Sequence, residues 1–88
     1  MYRRVLRIMK PKYYLQFFDI FDNKLHEGMG SDSVYVIDEK DVKNWHQIGQ
    51  DRINSLKKVQ KYVAFQLRFG TFTNYKNLSE VFFYEHTR

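Results

Sequence analysis

Five basic side chains crowd the first twelve residues of this 88-residue chain, and no acid stands among them. They are Arg3, Arg4, Arg7, Lys10 and Lys12. Three tyrosines, Tyr2, Tyr13 and Tyr14, lie in or beside this segment. Cations of this kind neutralise phosphates, and aromatic rings stack on bases. The pattern predicts a nucleic-acid-binding segment, and the alternative is a solvated terminus or an edge strand kept soluble by its charge.

A second basic surface is predicted on a helix over about residues 39–60. Projected at about 100° per residue, one side of that helix is polar and carries Asp51 as its only acid. The polar side consists of Lys43, Gln47, Gln50, Asn54, Lys57, Lys58 and Lys61. Lysines suit contacts with phosphates, whereas Gln and Asn suit contacts with base edges. The alternative is an ordinary solvated helix face.

Residue types that perform catalysis or bind metals are few. The chain has no cysteine, which excludes thiolate metal sites, cysteine catalysis and a disulfide framework. His26, His46 and His86 do not have the spacing of a zinc site, and no cofactor is expected. His26 and Glu27 suit acid–base chemistry, but no nucleophile surrounds them, so we expect a non-enzymatic protein with a small ribonuclease left open. Residues 28–33 lack the lysine of a phosphate-binding loop and predict a turn.

Strands are predicted before the helix. Residues 13–22 include five aromatic side chains and are apolar on both alternating faces, which is typical of a strand covered on both sides. Asp22 and Asn23 tolerate positive φ and predict a hairpin turn, after which residues 24–27 return as a second strand. Residues 33–37 predict a third strand.

The helix is expected to begin after Asp38, whose side chain suits an N-cap, and to end near Gln60. There the apolar period changes from helical to alternating, which predicts a strand from about Tyr62. Gly49 costs a helix about 1 kcal/mol relative to Ala and marks a place where the helix can kink or divide in two.

The order of elements predicts an α+β fold, a mainly antiparallel sheet with the one main helix packed on it. We expect a single domain over residues 1–88 with the basic segment 1–12 at its start. Residues 73–79 are expected to form a polar turn. Strand and short helix both remain open for residues 2–9 and 81–85, with a strand favoured for the latter.

The formal net charge of +5 is unevenly distributed. Residues 1–12 carry +5, residues 13–41 carry −5, and residues 42–88 carry +5. Two basic ends around an acidic middle indicate either a polyanionic partner or internal pairing between the ends and the middle. No apolar run approaches the ~20 residues of a membrane span and no signal peptide is visible, so we expect a cytoplasmic protein without a membrane partner.

Aromatic residues are in surplus for so small a chain, at 18% of the sequence. The predicted core aromatics are Phe17, Phe18, Phe65, Phe69, Phe72, Phe82, Phe83 and Tyr84. The remainder, mainly tyrosines, suit a stacking platform or a contact surface, with a homodimer interface as one interpretation.

These features favour a small binding protein that engages nucleic acid or a nucleoprotein complex. Its predicted contacts are Arg3, Arg4, Arg7, Lys10, Lys12, Lys43, Lys57, Lys58 and Lys61. The alternative is a protein-interaction factor, such as a phage- or mobile-element-encoded inhibitor of a host protein complex. The sequence is rich in Lys, Asn, Tyr, Phe and Ile and poor in Ala and Pro. This bias is compatible with an AT-rich genome, as in many phages and mobile elements.

Overall fold

The structure, a computed structural model, describes residues 10–56 and 62–85. In chain order its elements are β1 (Lys12–Phe21), β2 (Lys24–Glu27), a 3-10 turn (Ser31–Ser33), β3 (Val34–Ile37), a 3-10 helix (Glu39–Asn44), α1 (Trp45–Leu56), β4 (Ala64–Gly70), β5 (Tyr75–Asn77) and β6 (Phe82–Phe83). The predicted α+β class is confirmed, since the strands form one antiparallel sheet and α1 is the main helix.

Two long central strands organise the sheet. β1 and β4 pair antiparallel from Lys12 opposite Gly70 to Phe18 opposite Ala64. β2 and β3 both pair with the other side of β1, as two parts of one interrupted strand, and β5 and β6 pair in the same way with β4. At each interruption the central strand keeps a backbone hydrogen bond with the loop: the Gly28 N–H donates to the carbonyl of Phe17, and the Leu78 N–H donates to that of Leu67, both at 2.8 Å.

The turn between β1 and β2 confirms the predicted hairpin. Asp22 and Asn23 have φ of 55° and 62°, the left-handed pair that a two-residue hairpin requires. The predicted turn at residues 28–33 is also confirmed, because the Ser33 side chain and N–H both donate to the carbonyl of Gly30.

One face of the sheet packs against α1. Its buried cluster consists of Leu15, Phe17, Ile37, Ile53, Tyr62, Phe65 and Leu67. α1 runs through Gly49 without interruption, so the helix is not divided in two there. A Cβ on Gly49 would overlap the ring of Phe65, and the glycine therefore lets helix and sheet approach closely.

The start of the helical segment differs from the prediction. Residues 39–44 form a 3-10 helix, and the α-helix begins only at Trp45. Asp38 stands at the N-cap position, but its side chain makes no capping hydrogen bond; its backbone carbonyl accepts from the Asp41 N–H at 2.9 Å instead. The predicted end of the helix near Gln60 lies outside the described residues.

The sheet is curled, as contacts between side chains on its second face show. Tyr75 on β5 donates a hydrogen bond from its hydroxyl to Glu27 on β2 at 3.1 Å, although these strands are the two ends of the order β2-β1-β4-β5. In a flat sheet their backbones would be about 14 Å apart across the strands and about 20 Å apart along them, because Glu27 is level with Ala64 and Tyr75 with Gly70. The sheet therefore curls strongly, and the curl brings Glu27 and Tyr75 together over the buried Arg68 of β4.

One prediction about the last third of the chain needs correction, and one is confirmed. Residues 75–77 are a strand rather than part of a turn, because they pair with Arg68–Gly70 of β4. The favoured strand at residues 81–85 is confirmed over Phe82–Phe83. Residues 2–9 lie outside the described part of the chain.

The aromatic core is also composed differently from the prediction. Phe69, Phe72 and Phe83 are 38%, 50% and 57% exposed, whereas Tyr14 and Tyr62 are buried. The aromatic residues exposed at the surface are thus mainly phenylalanines. Tyr14 is enclosed because Phe72 and Tyr75 both meet its ring edge to face.

Candidate nucleic-acid interface

Lys10 and Lys12 border a cleft of about 570 Å³ at one end of the sheet. The full lining is Lys10, Pro11, Lys12, Tyr13, Val36, Ile37, Asp38, Glu39 and Phe69. Pro11 directly precedes β1, whose first residue is Lys12, and β1 pairs with the last residues of β3 and β4. That pairing places the two lysines beside the start of the helical segment.

A second recess, open and of about 860 Å³, adjoins the first. It is lined by Asp38, Glu39, Lys40 and Lys43, so the two recesses share both acids. Lys12 of the basic segment and Lys43 of the helical segment therefore border recesses that meet at the same two acids, although the sequence suggested two separate basic sites.

A fifth lysine joins this surface from the far edge of the sheet. Lys76 on β5 is exposed and lies directly opposite Phe69 of β4, so the two side chains share a face. We call the five lysines of this end the lysine rim: Lys10, Lys12, Lys40, Lys43 and Lys76. Sequence patterns did not assign Lys40 or Lys76 to a site; Lys40 was detectable as a neighbour of Lys43, whereas Lys76 depends on strand pairing.

An aromatic pair lies inside the rim. Tyr13 and Phe69 are cross-strand partners, with ring centroids 4.6 Å apart and planes inclined at 51°. Tyr13 is half-buried, and Phe69, which we predicted to be in the core, is 38% exposed and lines the cleft. The pair therefore offers an aromatic surface to a molecule in the cleft.

The lysine rim is the positive end of the described structure. Asp38, Glu39 and Asp41 are the acids around it, against five lysines. The other described residues together carry three bases and seven acids. None of the rim lysines belongs to the two ion pairs of the described residues, Arg52–Asp32 and Arg68–Glu27. Their charge is therefore available to an anionic partner.

The remaining predicted contacts are not placed. Three of the nine, Lys10, Lys12 and Lys43, are described, and all three are exposed. The other six, Arg3, Arg4, Arg7, Lys57, Lys58 and Lys61, lie outside the described residues. All ten acids lie within the described part, against eight of the fifteen bases, so the basic excess of the chain resides in the other segments.

The amides predicted to read bases from the helix are engaged elsewhere. Gln50 donates from Nε2 to the carbonyl of Glu85 at 2.9 Å, and its Oε1 accepts from the Glu85 N–H at 3.1 Å. Asn54 Oδ1 accepts a hydrogen bond from the Tyr84 hydroxyl. These bonds hold the segment after β6 against α1, and therefore Gln50 and Asn54 are not free to contact a base.

His26 and Glu27 do not form an acid–base pair. They are successive residues of β2, so their side chains point to opposite faces of the sheet. His26 Nε2 lies 3.2 Å from the carbonyl of Phe21, whereas Glu27 accepts from Arg68 at 2.8 Å. The Arg68 hydrogen bond lowers the pKa of Glu27, which keeps this carboxylate ionised rather than poised for proton transfer.

Within residues 10–56 and 62–85, no three His, Cys, Asp or Glu side chains group in a way that would hold a metal ion. None of the helices in these ranges has both the length and the apolar character needed to cross a bilayer. No protein-family model, curated protein or solved structure matches the chain.

Proposed function

We propose that this protein binds nucleic acid, alone or in a nucleoprotein complex, without catalysing a reaction on it. The proposed contact surface is the lysine rim together with Tyr13 and Phe69. One observation carries the proposal: Lys12 and Lys43, from distant segments, border two recesses that share Asp38 and Glu39. Clustered lysines that belong to neither ion pair of the described residues, next to the exposed ring of Phe69 and the half-buried ring of Tyr13, combine the two contacts that such binding uses.

The charge distribution of the described residues supports this orientation. The rim has more bases than acids, and the rest of the described surface has more acids than bases. A polyanion is therefore attracted to one end and repelled from the remainder, which orients the encounter. In sequence, Arg3, Arg4 and Arg7 directly precede Lys10, and we include them in the proposed contact segment. The proposed compartment is the cytoplasm.

Salt dependence tests this proposal. A fluorescently labelled oligonucleotide is titrated with the protein, and binding is followed by anisotropy at about 50 mM and about 200 mM salt, with single- and double-stranded probes. Binding that is tight at low salt and falls by at least tenfold between the two conditions is expected, because each phosphate neutralised releases a counterion. No binding to any probe at low salt would overturn the proposal.

A protein-interaction factor, for example an inhibitor of a host complex, is the second candidate. Exposed apolar side chains at the β1–β2 hairpin favour it: Phe21 is 67% exposed, and Ile20 beside it is exposed as well. Capture of a stoichiometric protein from a nuclease-treated host lysate, lost in a Phe21→Ser variant and kept in a Lys12→Glu variant, would support this function. Capture that disappears with nuclease treatment would support nucleic acid instead.

A further inference from the structure

We infer that the cleft at the lysine rim takes an unpaired nucleic-acid strand, with a base against Phe69 and Tyr13 and the phosphates on the lysines. This inference rests on the proposed function and deepens it. It follows from the way charge, hydrogen-bond acceptors and aromatic rings are arranged within one small space.

The charges determine which part of a nucleotide enters. Asp38 and Glu39 line the cleft together with Lys10 and Lys12, and Lys40 and Lys43 lie with the same two acids in the adjoining recess. Carboxylates repel phosphate oxygens at short range, and lysines attract them. The phosphates are therefore favoured at the lysines rather than next to Asp38 and Glu39.

The same two acids suit a base. Asp38 is exposed, and its carboxylate makes no capping hydrogen bond although the residue stands at the N-cap position. A carboxylate accepts hydrogen bonds from the exocyclic amino group of a base such as cytosine. An acceptor that does not cap the helix thus lines the cleft in which a base would lie.

The aromatic pair completes the site. Phe69 is the more exposed of the two rings, and Tyr13 supports it from the neighbouring strand at 4.6 Å between centroids. Stacking on such a ring tolerates any base, because every base has a π-face. Phe69 is therefore the expected stacking residue, and Tyr13 holds it in position.

The size of the cleft favours an unpaired strand. A volume of about 570 Å³ lies within the range of pockets that enclose small molecules, and it is large enough to admit a nucleoside. In a duplex the bases are stacked and paired, so one of them would have to be flipped out before it could enter. A duplex is left with the lysine contacts alone.

The experiment compares three labelled probes at one salt concentration: a 12-nucleotide single strand rich in cytosine, the same strand in a duplex, and the same strand with its central bases removed to leave abasic sites. We expect the intact single strand to bind at least tenfold more tightly than either of the others. The salt dependence of the abasic strand should match that of the intact one, because both carry the same phosphates.

Two variants connect the result to the cleft. Phe69→Leu keeps apolar volume but removes the ring, and it should weaken binding of the intact strand at least fivefold while leaving duplex binding unchanged. Phe83→Leu is the matched control on the other face of the sheet and should change neither. Equal binding of intact and abasic strands would overturn the inference while the proposed function stands. Failure of every probe to bind would instead remove the proposed function.

Discussion

Tyr75 and Glu27 lie on strands at opposite edges of the sheet, yet the Tyr75 hydroxyl donates to the Glu27 carboxylate at 3.1 Å. The same carboxylate accepts from Arg68 at 2.8 Å, and the guanidinium of Arg68 lies 4.1 Å from the centre of the Tyr75 ring. The three side chains therefore join the two edges of a curled sheet, and the charge of the buried Arg68 depends on Glu27 for its compensation.

Replacing Glu27 tests this clamp. Glu27→Gln keeps the shape of the side chain but removes the charge opposite Arg68, and it should lower the free energy of unfolding by about 1–2 kcal/mol. Chemical denaturation at pH 7 measures the change. Glu80→Gln, at an exposed acid outside both ion pairs, is the control and should stay within about 0.5 kcal/mol of the parent. Equal effects of the two substitutions would contradict the clamp.

The pH dependence of the same pair has a definite sign. Because Arg68 lowers the pKa of Glu27 in the folded state, the carboxylate stabilises the fold fully above its unfolded pKa of about 4.3. This contribution is lost as the pH falls through the lower folded pKa. The difference in Tm between the parent and Glu27→Gln should therefore be large at pH 7 and shrink towards pH 3. A difference that grew on acidification would contradict the assigned ion pair.

Replacing Gly49 tests the close contact between α1 and the sheet. Gly49→Ala adds a methyl group that overlaps the ring of Phe65, so it should destabilise the protein by about 1–3 kcal/mol. Helix propensity alone predicts the opposite, a gain of about 1 kcal/mol. Thermal unfolding distinguishes these outcomes, with Ser55→Ala on the exposed side of α1 as the nearly neutral control. A rise in Tm for Gly49→Ala would show that helix and sheet are not in close contact.

Replacing Gln50 tests the hydrogen bonds that hold the segment after β6 against α1. Gln50→Ala removes both bonds to the Glu85 backbone, so the Glu85 amide should exchange with solvent at least fivefold faster. Hydrogen exchange followed by NMR measures this amide directly. Gln47→Ala, which breaks only a bond to Asp51 within α1, should leave it unchanged. An unaltered Glu85 rate in Gln50→Ala would remove the role assigned to this side chain.

Sequence patterns predicted those elements that depend only on residues close together in the chain. The first three strands and the Asp22–Asn23 turn follow from alternation and from residues that tolerate positive φ. β5 was missed because Tyr75–Asn77 is short and polar, and only its pairing with β4 makes it a strand. Phe69 was predicted to be buried but is exposed. Alternation shows which face of the strand a residue lies on, but it does not show where along that face the covering helix ends.

The candidate site was predictable in composition but not in arrangement. Lys10, Lys12 and Lys43 were recognisable as bases in basic segments. That they meet around Asp38 and Glu39 depends on β1 pairing with both β3 and β4, which no local pattern reveals. The Arg68–Glu27–Tyr75 clamp requires the curl of the sheet and had no signal in the sequence.

The most direct test of the proposed nucleic-acid surface compares three variants with the same change in net charge: Lys12→Glu, Lys43→Glu and Lys24→Glu. Lys24 is exposed on β2, adjoining the turn, and is not part of the lysine rim. Affinity for a single-stranded oligonucleotide at about 50 mM salt should fall about five- to tenfold for each of the first two and less than twofold for the third. Equal losses in all three would show that only the total charge matters and would contradict a contact surface at the lysine rim.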